Sequence, residues 1–131
     1  MDRVCHFEIP YADKARASKF YQEVFGWQVS DAPGGVPYSF VLTTPVDGQM
    51  RPTAPGGING GMYPRANGGA SASPVVVIEV ASCSQRTADV EAAGGSCVVN
   101  PTEISNLGIY AQVKDPEGNV IGLWQPLHPA P

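Results

Sequence analysis

The sequence predicts an α+β fold of two tandem βαβββ modules, with curled mixed sheets that form a concave cavity and helices on the outer face. The first observation behind this prediction is an internal repeat. Residues 4–29 and 73–98 show the same order of elements at an offset of 69 residues, which places His6 on Val75. The second is that three short apolar segments follow each helical segment, separated by turns rich in Gly and Pro. With 131 residues the chain has room for a single domain, residues 1–131.

The first module begins with a strand that includes Phe7, followed by a helix. Asp13 is a candidate N-cap, because its carboxylate can accept the free backbone N–H groups of the first turn. Gly26 is expected to end the helix, because glycine adopts the left-handed conformation at little cost. Between these two residues the apolar positions recur at the spacing of one helix face. They are Ala17, Phe20, Tyr21 and Val24.

The second module repeats this order. Its helix is predicted to start near Ser82 or Ser84 and to end at Gly94 and Gly95, with a weaker apolar stripe. Turn chemistry separates the strands, as in the D-P-E-G-N segment at 115–119. The predicted strands after the helices are Trp27–Ser30, Pro37–Thr43, Gly57–Tyr63, Ser96–Val99, Leu107–Val113 and Asn119–Gln125.

Segments rich in Gly, Pro and Ser indicate the module boundaries. Module one is predicted to span residues 4–64 and module two residues 74–125. Residues 65–73 are expected to link the modules, and residues 126–131, which include three prolines, are expected to form an extended tail. Residues 45–56 are also rich in Pro and Gly and are expected to form a surface loop.

Composition and charge exclude several classes of protein. The net charge is −4 and the eight basic residues are scattered, whereas nucleic-acid binding requires a basic stripe. No apolar run approaches the roughly 20 residues of a membrane span, and the N-terminal residues show no signal peptide. The three cysteines contain no C-x-x-C motif, which argues against a disulfide framework or a cysteine zinc site and favours a reducing cytoplasm. We therefore expect a cytoplasmic protein without nucleic-acid or membrane partners.

The alternation of strand residues indicates which side chains face a cavity. Successive side chains of a strand point to opposite faces of the sheet. In the first strand Phe7 and Ile9 are expected to pack under the helix, while His6 and Glu8 face away from it. By the repeat, Val76, Ile78 and Val80 are expected to pack under the second helix, while Val75, Val77 and Glu79 face away.

Five short sequence motifs resemble those of a known protein family. They are HFEIP at 6–10, KFYQEVFGW at 19–27, GGINGGMYPR at 56–65, VEAAGG at 90–95 and KDPEGNVIGLWQ at 114–125. In this order of elements, they resemble the glyoxalase / bleomycin-resistance / extradiol-dioxygenase group, the vicinal oxygen chelate superfamily. The resemblance extends over residues 4–125.

The resemblance implies a location for a metal site. Metal-using members of the family hold a divalent ion with up to four ligands, one each from the first, fourth, fifth and eighth strands, and use it as a Lewis acid. The matching positions here are His6, Gly60 or Gly61, Val75 and Gly122. A catalytic divalent ion needs about three protein ligands, and only His6 has a suitable side chain. We therefore expect no cofactor and no family-type metal site, with His6 as the residual family ligand.

His6 and Glu8 are candidate catalytic groups as well as ligand contacts. A His–Glu pair can transfer protons, and a neighbouring carboxylate is expected to raise the pKa of a histidine. The simpler interpretation of His6 is a hydrogen-bonded histidine in the cavity wall.

Aromatic and amide side chains are expected to line the cavity in the second module. Tyr110 and Gln112 alternate with apolar residues, and Trp124 shares its strand face with Gly122. This set predicts either an aromatic wall opposite a glycine gap, suited to a flat apolar ligand, or a Trp124 ring that fills the gap. The predicted ligand-contacting residues are His6, Glu8, Val75, Val77, Tyr110, Gln112, Gly122 and Trp124.

Three functions are compatible with these observations. The first, and favoured, is a protein that binds a small organic molecule without a family-type metal. The second is an enzyme: a metal-dependent lyase, isomerase or dioxygenase that uses His6 with rearranged ligands, or a metal-free enzyme that transfers protons through His6 and Glu8. The third is a partner-binding module that uses the loop at 45–56 and the C-terminal tail. The resemblance also implies a homodimer, formed through sheet edges or by exchange of halves.

Overall fold

The computed structural model describes residues 1–65 and 73–127. The described chain divides into two compact units. The first unit contains residues 6–65 and 73–74, and the second contains residues 1–5 and 75–127. Most of the predicted linker and the last four residues of the predicted tail lie outside the described residues. The module boundaries remain predictions.

The order of elements is βαβββ, twice, so the predicted fold class is confirmed. The helices are 12 and 10 residues long, and the strands are four to nine residues long. A short 3-10 turn, Pro33–Gly35, interrupts the connection after the second strand. The elements are β1 Val4–Tyr11, α1 Lys14–Phe25, β2 Gln28–Asp31, β3 Ser39–Leu42, β4 Gly60–Pro64, β5 Val75–Glu79, α2 Cys83–Ala92, β6 Ser96–Ile104, β7 Gly108–Lys114 and β8 Val120–Pro126.

Both helices begin at the predicted capping residues. The Asp13 carboxylate accepts a hydrogen bond from the backbone N–H of Arg16 at 3.0 Å. The Ser82 hydroxyl accepts one from the N–H of Gln85 at 3.1 Å, which decides between the two serines considered for α2. Gly26 ends α1 with a φ of 70°, in the left-handed region that glycine adopts without steric cost. These caps satisfy backbone groups that a helix leaves without partners at its ends.

The sheet of the first unit has the strand order β2-β3-β4-β1. Neighbouring strands are antiparallel except β1 and β4, which run parallel. The register pairs Phe7 with Gly60 and Glu8 with Gly61. Phe7 lies on the same side as Trp27, with ring centroids 5.6 Å apart, and Trp27 stacks on Tyr21 of α1. Phe7 therefore faces the helix as predicted, and Glu8 faces away.

The second unit repeats this arrangement with the order β5-β8-β7-β6, in which β5 and β8 run parallel. Helix α2 packs against β6, β7 and β8. The core between α2 and the sheet includes Ile78 and Val80 of the predicted helix-facing set, whereas Val76 is 45% exposed near the beginning of β5. The core residues are Val80, Cys83, Ala111, Val113 and Leu123, with Ile78, Val90, Ile109 and Ile121 around them.

Two further predictions differ from the structure. Phe20 and Val24 were expected to complete the packed stripe of α1, but 51% and 57% of their surfaces are exposed. The sheet beneath α1 covers only part of the stripe, and no α1 residue is fully buried. Strand β6 extends to Ile104, well beyond the predicted end at Val99, because register shifts allow β6 to pair with β7 despite Pro101.

Membrane insertion by a helix finds no support in the described residues. Neither α1 nor α2 is long and apolar enough to cross a bilayer.

The left-handed end of α1 yields a stability prediction. Gly26→Ala is expected to lower the free energy of unfolding by about 1–2 kcal/mol, because a side chain is disfavoured at this positive φ. The matched control is Gly48→Ala, since Gly48 lacks a positive φ and has open space where a Cβ would lie. Urea denaturation measures both variants. Equal stability of the two variants would contradict the assigned role of Gly26.

Candidate active or ligand-binding site

In the first unit, His6 and Glu8 lie on the face of β1 that points away from α1. The register places Gly61 and Phe40 beside Glu8 on that same face. Glu8 is only 5% exposed, so its carboxyl group belongs to the interior of the protein. The register also decides between the two glycines matched to the fourth-strand position. Gly61 lies on the predicted cavity face, whereas Gly60 lies against the Phe7 ring on the helix side.

The Tyr38 phenol occupies the space beside Gly61. A Cβ at Gly61 would overlap the hydroxyl and the ring of Tyr38, so only glycine fits at this position. The Tyr38 hydroxyl is 3.0 Å from Nε2 of His6, within hydrogen-bond distance. The Tyr38 ring also makes an edge contact with the Phe40 ring. The phenol thus binds the histidine at the position that the resemblance assigns to a metal ligand.

Tyr38 was not among the site residues predicted from the sequence. It lies just before β3, two residues from Phe40, and this spacing could have indicated the shared face. Its contact with His6 joins residues 32 positions apart, which strand periodicity does not predict.

Burial determines the charge of His6. Desolvation lowers the pKa of the imidazole from 6.5 to about 4, because the charged form loses its hydration in the interior. The expectation that Glu8 raises this pKa is therefore wrong, since burial dominates. At neutral pH His6 is uncharged, and one ring nitrogen can accept a proton or a hydrogen bond.

In the second unit, the register places the predicted ligand residues on one face of the sheet. Tyr110 pairs with Trp124, and Gly122 pairs with both Gln112 and Val77. This face lies opposite α2, because the alternate residues of the same strands form the core under that helix. Tyr110 and Trp124 are half-buried, whereas Gln112 is only 4% exposed.

Gln112 is the most constrained polar group of this face. Its Nε2 donates a hydrogen bond to the Tyr110 hydroxyl at 2.8 Å. Its Oε1 is buried and has no hydrogen-bond partner among the described residues. Burying a polar atom without a hydrogen-bond partner costs about 1–3 kcal/mol of folding free energy, and most buried polar atoms have a partner. The lack of one at Oε1 of Gln112 therefore calls for an explanation.

Tyr110, and not Trp124, lies against Gly122. A Cβ at Gly122 would be 3.0 Å from Cγ2 of Val77 and 3.2 Å from the Tyr110 hydroxyl. The Trp124 ring instead covers Gly108, where a Cβ would be 2.6 Å from Cζ2 of the indole. The expectation that the Trp124 ring fills the space at Gly122 is therefore wrong, and the aromatic wall for a flat ligand stays a prediction.

The four positions that the resemblance assigns to metal ligands are Gly61, Gly122, Val75 and His6. Tyrosine hydroxyls lie against both glycines, Val75 is apolar, and His6 is hydrogen-bonded to Tyr38. Within residues 1–65 and 73–127, no three His, Cys, Asp or Glu side chains lie close enough to hold a metal ion together. These residues do not fit the three-ligand sites of catalytic divalent ions.

A hollow of about 430 Å³ lies elsewhere in the second unit. None of the eight predicted ligand-contacting residues lines it. Its walls include the Arg3–Glu79 ion pair, whose N–O distance is 3.7 Å and whose side chains are 74% and 38% exposed. The lining residues are Met1, Asp2, Arg3, Glu79, Val80, Ala81 and Pro126.

Sequence comparisons find relatives over part or most of the chain. Residues 3–38 match the family described as bleomycin resistance protein-like N-terminal. Curated proteins of Mycobacterium bovis and Mycobacterium tuberculosis, both named "Putative glyoxylase CFP32", are 29% identical over 122 residues, which cover 90% of this chain. The chain spans 43% of the length of these relatives.

Solved structures share the fold. Methylmalonyl-CoA epimerase of Streptomyces coelicolor aligns with a TM-score of 0.66 and 13% identity over 98% of both chains. The methylmalonyl-CoA epimerase of Mycobacterium tuberculosis aligns with a TM-score of 0.64 and 14% identity over 98% of this chain and 88% of its own. A 2,3-dioxygenase of Pseudomonas aligns with a TM-score of 0.60 and 14% identity over 98% of this chain and 44% of its own.

These findings support the resemblance to glyoxalases and bleomycin-resistance proteins, and the solved structures show that the fold is shared. The resemblance drawn from the sequence is thereby confirmed. A shared fold identifies the architecture and does not by itself assign a reaction, a metal or a ligand.

The burial of His6 predicts a pH dependence of stability. The folded protein holds His6 neutral down to about pH 4, whereas the unfolded chain takes up a proton below about pH 6.5. The contribution of His6 is fully present above pH 6.5 and is lost as the pH falls toward 4. Urea denaturation at pH 7 and pH 5 is expected to show a smaller loss of stability in His6→Gln than in the wild type. An identical loss, or an NMR titration of His6 near its ordinary pKa, would contradict the assignment.

Proposed function

We propose that the protein binds a small organic molecule on the face formed by Tyr110, Gln112 and Trp124, without a family-type metal ion. The observation that carries this proposal is the buried amide oxygen of Gln112, which has no partner among the described residues. A ligand that donates an N–H or O–H group to this oxygen would remove the cost of burying it. Ligand sites combine apolar walls with a few such polar groups.

The neighbouring side chains favour a flat, largely apolar ligand. The half-buried rings of Tyr110 and Trp124 offer surfaces on which another ring can pack. Val75 and Val77 are apolar and share this face. The hydrogen bond from Nε2 of Gln112 to the Tyr110 hydroxyl holds one end of the amide, while Oε1 at the other end has no partner among the described residues.

The residue types at the four family positions support a metal-free site. Metal-ion catalysis needs open coordination positions on an ion that several side chains hold. His6 is the single metal-ligating residue at these positions, and its Nε2 is hydrogen-bonded to Tyr38. The activities in the names of the relatives belong to those proteins, and we propose none of them for this chain.

A second candidate function is metal-independent proton transfer at His6. It is favoured by the neutral imidazole, whose Nε2 lies 3.0 Å from the Tyr38 hydroxyl. A neutral histidine can serve as a general base, although a pKa of about 4 makes it a weak one. Glu8 lies on the same face and remains a candidate partner. The cytoplasm remains the proposed location, on the strength of the free thiols in the described residues.

Metal loading tests the metal-free proposal. We expect that wild-type protein incubated with Mn²⁺, Ni²⁺ or Zn²⁺ and then dialysed retains no stoichiometric metal by mass spectrometry, because one imidazole cannot hold a catalytic ion. The His6→Gln variant serves as the matched comparison. Stoichiometric metal in the wild type that disappears in His6→Gln would overturn the proposal and favour the metal-dependent enzyme.

Tryptophan fluorescence tests ligand binding directly. The chain has two tryptophans, so Trp27→Phe leaves Trp124 as the single reporter. In this background we expect flat aromatic compounds that carry N–H or O–H groups to change the Trp124 emission. Gln112→Leu is expected to weaken their binding by about tenfold, the effect of losing one hydrogen bond, without lowering stability.

The exposed Gln49→Leu provides the control and is expected to leave the affinity unchanged. Equal affinities of the Gln112→Leu and Gln49→Leu variants would remove Gln112 from the site. If no such compound changes the Trp124 emission, the ligand-binding proposal itself is wrong.

A further inference from the structure

Helix α1 carries apolar side chains that its own sheet does not cover. Phe20, Val24 and Phe25 are 51%, 57% and 58% exposed. We call these three residues the α1 apolar surface. They follow one another at helix spacing on the outside of the first unit, whereas Ala17 and Tyr21 of the same stripe are half-buried. A contiguous group of large exposed apolar residues is typical of an interaction surface.

The second helix of the chain provides an internal comparison. At the repeat offset of 69 residues, the α1 apolar surface corresponds to Asp89, Ala93 and Gly94. Asp89 accepts hydrogen bonds from Gln85 and Arg86, and no large apolar side chain occupies the corresponding positions of α2. The fold therefore does not require apolar residues at these outward positions. The three large apolar side chains are therefore specific to α1.

Aromatic packing gives the α1 apolar surface a fixed shape. Phe20 makes edge contacts with Tyr21 at 5.0 Å and with Phe25 at 6.1 Å between ring centroids. Tyr21 in turn stacks on Trp27 at 4.9 Å, with an interplanar angle of 5°. A surface ordered in advance loses less conformational freedom when a partner covers it.

The charged residues beside the α1 apolar surface can pair with those of a second, antiparallel copy of the helix. Lys19 and Glu23 lie one helix turn apart, with 3.9 Å between Nζ and Oε1, and their side chains are 74% and 66% exposed. If two copies of α1 pack antiparallel about a two-fold axis near Tyr21, Lys19 of each copy faces Glu23 of the partner subunit. The same axis brings the apolar residues of the two copies together. An interface between identical copies requires this kind of self-complementarity.

We propose that a second copy of this chain covers the α1 apolar surface, with the two α1 helices antiparallel about a two-fold axis. The interface is thus a helix face, in place of the sheet edges or exchanged halves expected for a homodimer. It is independent of the proposed ligand site, because none of its residues belongs to that site.

Sedimentation analysis of the full chain tests this proposal. The wild type at micromolar concentration is expected to show about twice the chain mass of 13.8 kDa. Phe20→Ser combined with Val24→Ser is expected to weaken association by at least about tenfold, because it removes the apolar centre of the interface. Val36→Ser is the control, since Val36 is an exposed apolar residue outside α1 and its loss should leave the mass unchanged.

A charge exchange tests the antiparallel arrangement without changing apolar residues. Lys19→Glu and Glu23→Lys are each expected to weaken association, because each places like charges across the interface. The double exchange restores opposite charges and is expected to restore the dimer. Circular dichroism confirms the fold of each variant, and the charge series decides the question if the serine variant unfolds.

Three outcomes would overturn the proposal. One is a wild type that sediments as a monomer, in which case the surface serves another partner. A second is a dimer that persists in the folded serine variant, which would place the interface elsewhere, for example at a sheet edge. A third is a double charge exchange that is no better than the single changes.

Discussion

The close approach of a tyrosine hydroxyl to a glycine organises the polar groups in both units of this protein. In each unit the glycine lies on the strand that runs parallel to the first strand, at Gly61 and at Gly122. A Cβ at Gly61 would overlap Tyr38, and one at Gly122 would crowd Tyr110. Each tyrosine hydroxyl is hydrogen-bonded to a polar neighbour, His6 in one unit and Gln112 in the other. The two glycines therefore determine where the tyrosine hydroxyls lie.

The two polar groups that are hydrogen-bonded to these tyrosine hydroxyls are uncharged at neutral pH. Burial keeps the imidazole of His6 uncharged at neutral pH, and the amide of Gln112 carries no charge at any pH. In each unit the tyrosine hydroxyl is therefore hydrogen-bonded to a neutral group, which avoids the cost of an isolated buried charge at that contact. One fold can host unrelated chemistries, because function depends on the particular side chains that the fold positions. The chemistry therefore depends on a few residues, and the architecture does not.

The two units follow the same order of elements but use their helices differently. Helix α2 buries Cys83 and Thr87 and covers a continuous apolar core. Helix α1 buries no residue completely and leaves Phe20 and Val24 largely exposed. An apolar stripe in a sequence shows that a helix face avoids water, but it does not show whether the sheet of the same chain or another molecule covers that face. The difference between the helices is that α1 retains apolar surface in contact with water.

The sequence by itself determined the features that depend on neighbouring residues. The caps at Asp13 and Gly26, the order of elements and most of the strand faces follow from short-range rules, because a helix end or a strand face involves only a few consecutive residues. Only the tertiary structure decided the choice of Gly61 over Gly60 on the cavity face and the contact of Tyr38 with His6, since these depend on register and on residues 32 positions apart. It also decided the lowered pKa of His6, because desolvation is a property of the whole folded environment and not of the adjacent Glu8.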